Sequence, residues 1–94
     1  MRTYVVDPDD GLIVPVIGQG EFVVQGNDPD GVFIRHAVRD LAAAIALIVG
    51  RELSGGRNGW EVYKIVESGS QYPTLQWVGD QSRGELNVGW EEVH

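Results

Sequence analysis

Glycine and proline interrupt this chain so often that few segments are long enough to form a helix. The 94 residues include 13 Gly and 4 Pro, and both types favour turns over the interiors of helices and strands. Short segments rich in β-branched or aromatic residues lie between the first breaks, and we predict strands at Thr3–Val6, Leu12–Ile17 and Glu21–Gln25. Pro15 lacks a backbone N–H, so the second strand is expected at a sheet edge or a bulge.

Two acidic turns of similar sequence follow the first and third predicted strands. The turns are DPDDG at Asp7 to Gly11 and NDPDG at Asn27 to Gly31. Their Pro and Gly residues fit tight turns. We predict that the first turn joins two strands and that the second leads into a helix.

The segment from Val32 to Leu53 is the one long helical candidate. Its apolar residues recur at spacings of three and four, and its alanines favour a helix. The spaced residues are Ile34, Val38, Leu41, Ile45 and Ile48. The outward face would carry Arg35, Arg39 and Asp40, and Ser54-Gly55-Gly56 would end the helix.

Three further strands are predicted at Trp60–Glu67, Thr74–Val78 and Glu85–Val93, the last of which alternates apolar and polar residues. Strands, one helix and then an antiparallel meander are typical of the α+β class. We therefore expect one helix packed on a mainly antiparallel sheet of about five to six strands. Residues 1–94 are expected to form a single compact domain.

Charge and composition exclude several classes of protein. The chain carries 7 Lys and Arg against 14 Asp and Glu, a net charge of −7, which disfavours binding to nucleic acid or to an anionic membrane. It has no Cys, which suits a reducing cytoplasm. The N-terminus lacks a signal-peptide pattern, and the longest apolar run, Leu41 to Val49, is far shorter than the ~20 residues that span a bilayer.

Few residues are suited to catalysis. His36 is the only internal histidine, His94 ends the chain, and no Ser lies in a G-x-S-x-G sequence. We therefore predict a protein with no catalytic residues that is not an enzyme. Two alternatives stay open: an enzyme that uses His36 with a strand carboxylate, and an assembly protein that dimerises through a sheet edge or the helix.

No motif indicates a metal or a cofactor. The acidic turns lack the ligand spacing of a calcium-binding EF-hand, and Gly18-Gln19-Gly20 lacks the third Gly and the Lys of a phosphate-binding loop. We interpret the Asp, Pro and Gly residues of these segments as turn-forming residues, and we predict no metal and no cofactor. The tryptophans Trp60, Trp77 and Trp90 fall among alternating apolar neighbours and are expected in the core.

The negative charge is concentrated in two parts of the chain. Residues 1–31 carry one Arg and six acidic residues, residues 32–59 four Arg and two acidic residues, and residues 60–94 two basic and six acidic residues. If the acidic turns converge in space, their field would speed encounter with a surface lined by Lys or Arg. The residues predicted to bind such a partner are Asp7, Asp9, Asp10, Asp28 and Asp30. The alternative is that the acidity serves solubility alone.

Three segments carry a resemblance to a known family. The opening MRTYVVDP, the strand Phe22-Val23-Val24 and the Ala-rich segment Leu41–Ala46 together resemble small phage anti-CRISPR proteins that act on type I systems. The resemblance implies a non-enzymatic inhibitor that binds a CRISPR effector complex or its nuclease and blocks DNA capture. Its acidic groups would then engage the basic channel meant for nucleic acid, with the chain acting as a monomer or a homodimer.

Two other families share features with this chain. The segments Tyr72–Trp77 and Arg83–Leu86 resemble immunity proteins of bacterial toxins. This resemblance implies a protein that caps the active site of a toxin. The strands before the Ala-rich segment are similar to those of HicB-type antitoxins. All three resemblances imply a small domain that inhibits by covering the working surface of a macromolecule.

Overall fold

The computed structural model describes residues 2–53, 60–69 and 71–80, which form six strands and one helix. In chain order the elements are β1 (Arg2–Val6), β2 (Ile13–Ile17), β3 (Phe22–Asn27), β4 (Phe33–Val38), α1 (Leu41–Gly50), β5 (Trp60–Val66) and β6 (Thr74–Asp80). The predicted strand Glu85–Val93 and the Ser54-Gly55-Gly56 helix stop lie outside the described residues, as do Trp90 and His94.

The six strands close into a barrel in the order β1-β2-β4-β3-β5-β6. Neighbours are antiparallel except at two seams, where β1 meets β6 through Val6 and Thr74, and β2 meets β4 through Ile17 and His36. Strand β2 pairs with β4 only through Ile17 and His36. Pro15 lies outside this pair, on a part of β2 that has no partner in β4, so its missing N–H breaks no bond between these two strands. The observed fold agrees with the predicted α+β class. The sheet, however, is a closed barrel rather than a simple sheet with one face covered by the helix.

The helix predicted for Val32–Leu53 is wrong over its first part, because Phe33–Val38 form strand β4 and the helix begins at Leu41. Ile34 and Val38 are four residues apart, a spacing that keeps two side chains on one face in a helix and in a strand alike. The second acidic turn therefore leads into a strand, and β3 and β4 form an antiparallel hairpin.

The start of the helix explains two further differences from the sequence. Asp40 is the N-cap of α1, where its Oδ1 accepts a hydrogen bond from the Ala43 backbone N–H at 2.8 Å. Arg35 lies in β4, half-buried at one end of the barrel, rather than on an outward helix face. Arg39 is exposed between β4 and α1, with its Nε 3.5 Å from an Asp40 carboxylate oxygen.

Two apolar cores lie on opposite sides of the barrel wall. The inner core fills the barrel with Val5, Val16, Val23, Ala37, Tyr63 and Leu75. The outer core lies between the wall and α1 and contains Val24, Ile34, Ala44, Ile45, Ile48, Leu53, Trp60 and Val62. The alternation of strand side chains explains this division, since adjacent residues such as Val23 and Val24 enter different cores. Trp60 is buried and Trp77 packs partly buried against the inner core.

The strand directions bring both acidic turns to the same end of the barrel. Strand β1 is antiparallel to β2, β2 is parallel to β4, and β4 is antiparallel to β3. Strands β1 and β3 therefore run in the same direction, and the turns that follow them lie side by side. We call this the acidic end of the barrel, defined by residues 7–12 and 28–32.

The described part of the chain contains no helix that is both long and apolar enough to cross a membrane.

Candidate functional site

Aspartate side chains shape the turn between β1 and β2. The Asp7 Oδ1 accepts a hydrogen bond from the Asp9 N–H at 2.8 Å, and the Asp10 Oδ1 accepts one from the Leu12 N–H at 2.9 Å. The Asp7 N–H donates to the Leu12 carbonyl, and the Gly11 N–H donates to the Asp7 carbonyl, both at 2.8 Å. Short carboxylates that accept bonds from backbone two residues onward are typical of tight turns.

The turn between β3 and β4 is built by a single aspartate. The Asp28 Oδ1 accepts from the Asp30 and Val32 N–H groups, both at 2.9 Å. The Gly31 N–H donates to the Asp28 carbonyl at 2.9 Å, and Gly31 has a φ of 82°, which favours glycine. The similar sequences of the two acidic turns therefore produce similar hydrogen bonding.

These bonds divide the five predicted partner-binding residues into two groups. Asp7, Asp10 and Asp28 each use one carboxylate oxygen to hold a turn. Asp9 and Asp30 are exposed, and within residues 2–53, 60–69 and 71–80 their carboxylates make no hydrogen bond or ion pair. The structure thus brings all five to the acidic end, where Asp9 and Asp30 have the carboxylates most available to a partner.

A row of polar side chains crosses three neighbouring strands at the acidic end. Arg35 of β4 lies opposite Gln25 of β3, and Gln25 lies opposite Glu61 of β5. The Arg35 Nε donates to the Gln25 Oε1 at 3.1 Å, and the Gln25 Nε2 donates to the Glu61 Oε1 at 3.3 Å. The row continues at one end to Asp7, whose Oδ2 is 4.0 Å from the Arg35 Nη2. At the other end the Tyr63 hydroxyl donates to the Glu61 Oε2 at 2.9 Å.

This polar row covers the inner core at the acidic end. Gln25 shares the inward face of β3 with Val23, and Glu61 shares that of β5 with Tyr63. Among the described residues, no buried side-chain nitrogen or oxygen lacks a hydrogen-bond partner, so the row is internally satisfied. Its structural effect is to tie the β1–β2 turn, through Asp7, to strands β4, β3 and β5.

Burial and nearby negative charge both raise the pKa of the Tyr63 hydroxyl. Burial of the phenol raises its pKa well above the ordinary value of 10.0, and the hydrogen bond and the charge of Glu61 add to this effect. The charges of Asp9 and Asp7 raise the pKa further. Tyr63 therefore stays neutral over the ordinary pH range, and its hydroxyl remains the donor of the hydrogen bond to Glu61.

The polar row was not predicted from the sequence, which gave no reason to group Gln25, Arg35, Glu61 and Tyr63. The available signal was the two-residue period of a strand, which puts Gln25 on the same face as Val23 and Glu61 on the same face as Tyr63. Arg35 could not be found in this way, because it was assigned to a helix. The pairing of three strands that brings the row together depends on tertiary structure.

His36 lies on the outer face of β4, half-buried, rather than on a helix. Burial lowers its pKa below 6.5, and the positive charge of Arg51 lowers it further. Within the described part of the chain, no hydrogen bond or ion pair joins this imidazole to a carboxylate. His36 therefore has no partner there that could orient it as a general base.

Among residues 2–53, 60–69 and 71–80, no group of three His, Asp or Glu side chains is placed to hold a metal ion. The carboxylates of the acidic end are directed instead to backbone N–H groups, to Arg35 or to solvent. The arrangement can present negative charge on a rigid frame.

Comparison of the chain with protein-family models, with curated proteins and with solved structures gives no match. The geometry and charge of the acidic end are therefore the structural features that bear on function.

Proposed function

We propose that this chain is an acidic, non-enzymatic inhibitor that binds a basic surface of a bacterial protein and thereby blocks access of nucleic acid. The observation that supports the proposal is the convergence of Asp7, Asp9, Asp10, Asp28 and Asp30 at one end of a closed barrel. A surface with this charge competes for the same Lys and Arg side chains that bind phosphates.

The hydrogen bonding within the acidic end favours binding. Asx hydrogen bonds fix the turns, and the Asp7–Arg35 contact fixes the first turn to the barrel. A surface that is ordered before binding loses less conformational entropy when it meets its partner. The exposed carboxylates of Asp9 and Asp30 extend from backbone that these hydrogen bonds hold, so that the pattern of charge, and not only its amount, selects the partner.

The proposed target is a CRISPR effector complex of a type I system or its nuclease, in the cytoplasm of a bacterial host. This target follows from the resemblance to small phage anti-CRISPR proteins. In this proposal the chain acts without a cofactor and contacts neither nucleic acid nor a membrane. Neutralisation of a toxin by capping of its active site is the alternative that the same experiment distinguishes.

The experiment measures capture of target DNA by purified type I effector complexes in the presence of increasing amounts of the chain. We expect the wild type to reduce the captured fraction. The double variant Asp9→Asn/Asp30→Asn should require about tenfold more protein for the same effect. The matched control is Glu21→Gln/Glu67→Gln, which removes the same charge at two exposed residues.

Glu21 precedes β3 and Glu67 follows β5, so both lie at the barrel end opposite the acidic end. This control should inhibit as well as the wild type. The proposal is wrong if the wild type leaves both DNA capture by the complex and cleavage of the captured DNA by the nuclease unchanged, or if both double variants lose the same activity. Protection of cells against a bacterial nuclease toxin, with DNA capture unchanged, would support the immunity alternative.

A further inference from the structure

Each acidic turn is followed directly by two exposed apolar residues. After the first turn come Leu12, which is 61% exposed, and Ile13, which is 52% exposed. After the second come Val32, at 55%, and Phe33, at 50%. We call these four residues the apolar rim. Single exposed apolar residues are ordinary, but neighbouring ones bordered by charge are typical of interaction sites.

The barrel topology places the two halves of the apolar rim on neighbouring strands. Ile13 begins β2, Phe33 begins β4, and these strands are adjacent and parallel. Ile17 pairs with His36. Carried back along both strands, this register sets Ile13 level with Val32, the residue just before β4.

The apolar rim also borders the polar row. The Phe33 ring lies against the Arg35 guanidinium, whose central carbon is 5.1 Å from the ring centroid. The Leu12 carbonyl accepts the Asp7 N–H at 2.8 Å. Groups of the polar row and of the first acidic turn therefore contact both halves of the rim, Phe33 through its ring and Leu12 through its backbone carbonyl.

We infer that the apolar rim is a docking surface for a basic segment of the partner in which apolar side chains alternate with Lys or Arg. Charge complementarity identifies this occupant, because Asp9, Asp10, Asp28 and Asp30 border the rim. A second copy of this chain would bring its own carboxylates against these and is disfavoured. The inference rests on the proposed function and adds the chemistry of the partner: charge attracts the segment, and burial of its apolar side chains retains it.

The experiment compares two labelled synthetic peptides with the same number of lysines, one with leucine and one with serine at the intervening positions. Binding to the chain is measured by fluorescence anisotropy. We expect the wild type to bind the leucine peptide about tenfold more tightly than the serine peptide. In Ile13→Ser/Val32→Ser this preference should disappear, while binding of the serine peptide stays unchanged.

The matched control is Ile17→Ser/Val49→Ser, which alters residues that are 56% and 57% exposed, the first at the other end of β2 and the second on α1. It should keep the preference. The inference is overturned if the wild type shows no preference, or if Ile13→Ser/Val32→Ser retains it. Because all four positions are exposed, the variants should fold, and amide NMR spectra check this.

The DNA-capture assay separates failure of this inference from failure of the proposed function. If the wild type and Ile13→Ser/Val32→Ser inhibit DNA capture equally, the docking surface is wrong and the inhibitor proposal stands. If the wild type prefers the leucine peptide but inhibits neither DNA capture nor cleavage of the captured DNA, the docking surface stands and the inhibitor proposal fails.

Discussion

Arg35 on β4 and Asp7 at the end of β1 face each other at the acidic end, with the Arg35 Nη2 4.0 Å from the Asp7 Oδ2. Both side chains are 18% exposed. At this separation and exposure the attraction itself is modest. Arg35 nevertheless links two parts of the molecule, because its Nε also donates to Gln25 inside the barrel. The first acidic turn is thereby held to the same polar row that covers the inner core.

Replacement of Arg35 should therefore destabilise the fold. We expect Arg35→Ala to lower the free energy of unfolding by about 1–3 kcal/mol, because the Gln25 Oε1 loses its donor and Asp7 loses its counter-ion. Urea denaturation measures this change. In a double-mutant cycle with Asp7→Ala, the coupling energy should be about 0.5–1 kcal/mol. A cost below about 0.5 kcal/mol for Arg35→Ala would show that the row does not stabilise the barrel.

Gly20 lies where the chain passes the backbone of Val38 and Arg39. Its φ is 151°, and a Cβ built there would overlap the Val38 carbonyl. We expect Gly20→Ala to cost more than about 3 kcal/mol of unfolding free energy, since the backbone must move. Gly31 provides the control, because it also has a positive φ but open space around it. Gly31→Ala should cost only about 1–2 kcal/mol, and equal costs would contradict this account.

The N-cap of α1 can be tested with two substitutions. Asp40→Ala should lower the unfolding free energy by about 1 kcal/mol, because the Ala43 N–H loses its side-chain acceptor. Asp40→Asn keeps an acceptor oxygen and should be nearly neutral. Thermal or urea denaturation distinguishes the two, and similar losses in both variants would show that the carboxylate charge matters more than the hydrogen bond.

Stability should fall as the pH is lowered through the range in which His36 titrates. Because burial and then Arg51 lower the pKa of folded His36 below 6.5, the unfolded chain takes up its proton first. The stabilisation is therefore present above about pH 6.5 and is lost as pH falls through the folded pKa. Urea midpoints measured at pH values between about 7.5 and 5.5 should decline less in His36→Gln than in the wild type. Parallel declines would contradict the role assigned to His36.

Local patterns in the sequence predicted five of the six described strands, all but β4. The β-branched and aromatic segments at Thr3–Val6, Leu12–Ile17 and Trp60–Glu67 lie within a residue or two of β1, β2 and β5. The turn chemistry of the first acidic segment was also predicted, since it depends on neighbouring residues alone. These features are encoded over a few residues and need no knowledge of distant contacts.

The helix start and the barrel were not predicted, for different reasons. Ile34 and Val38 fit either periodicity, and Asp40, which was predicted on the outward face of the helix, is instead its N-cap. Closure of the barrel depends on two single-pair seams between segments distant in sequence, Val6 with Thr74 and Ile17 with His36. Such pairings leave no local pattern.

The site was predicted in part. The five aspartates were selected for their charge and turn context, but whether the turns converge depends on strand order. The carboxylate of Asp28 holds its turn, whereas that of Asp30 is exposed to solvent. This difference is known only from the hydrogen bonds of the structure. The apolar rim was not predicted, because Val32 and Phe33 were assigned to a helix and so were not expected beside Leu12 and Ile13.

The central claim is that the acidic end binds a basic surface by electrostatic attraction, and the most direct measurement is the association rate with a type I effector complex at low and high salt. Between ionic strengths of about 0.05 and 0.3 M, the wild type and Glu21→Gln/Glu67→Gln should slow by roughly tenfold. Asp9→Asn/Asp30→Asn should start slower and change far less. Rates that do not depend on salt, or that fall equally in all three proteins, would contradict the account.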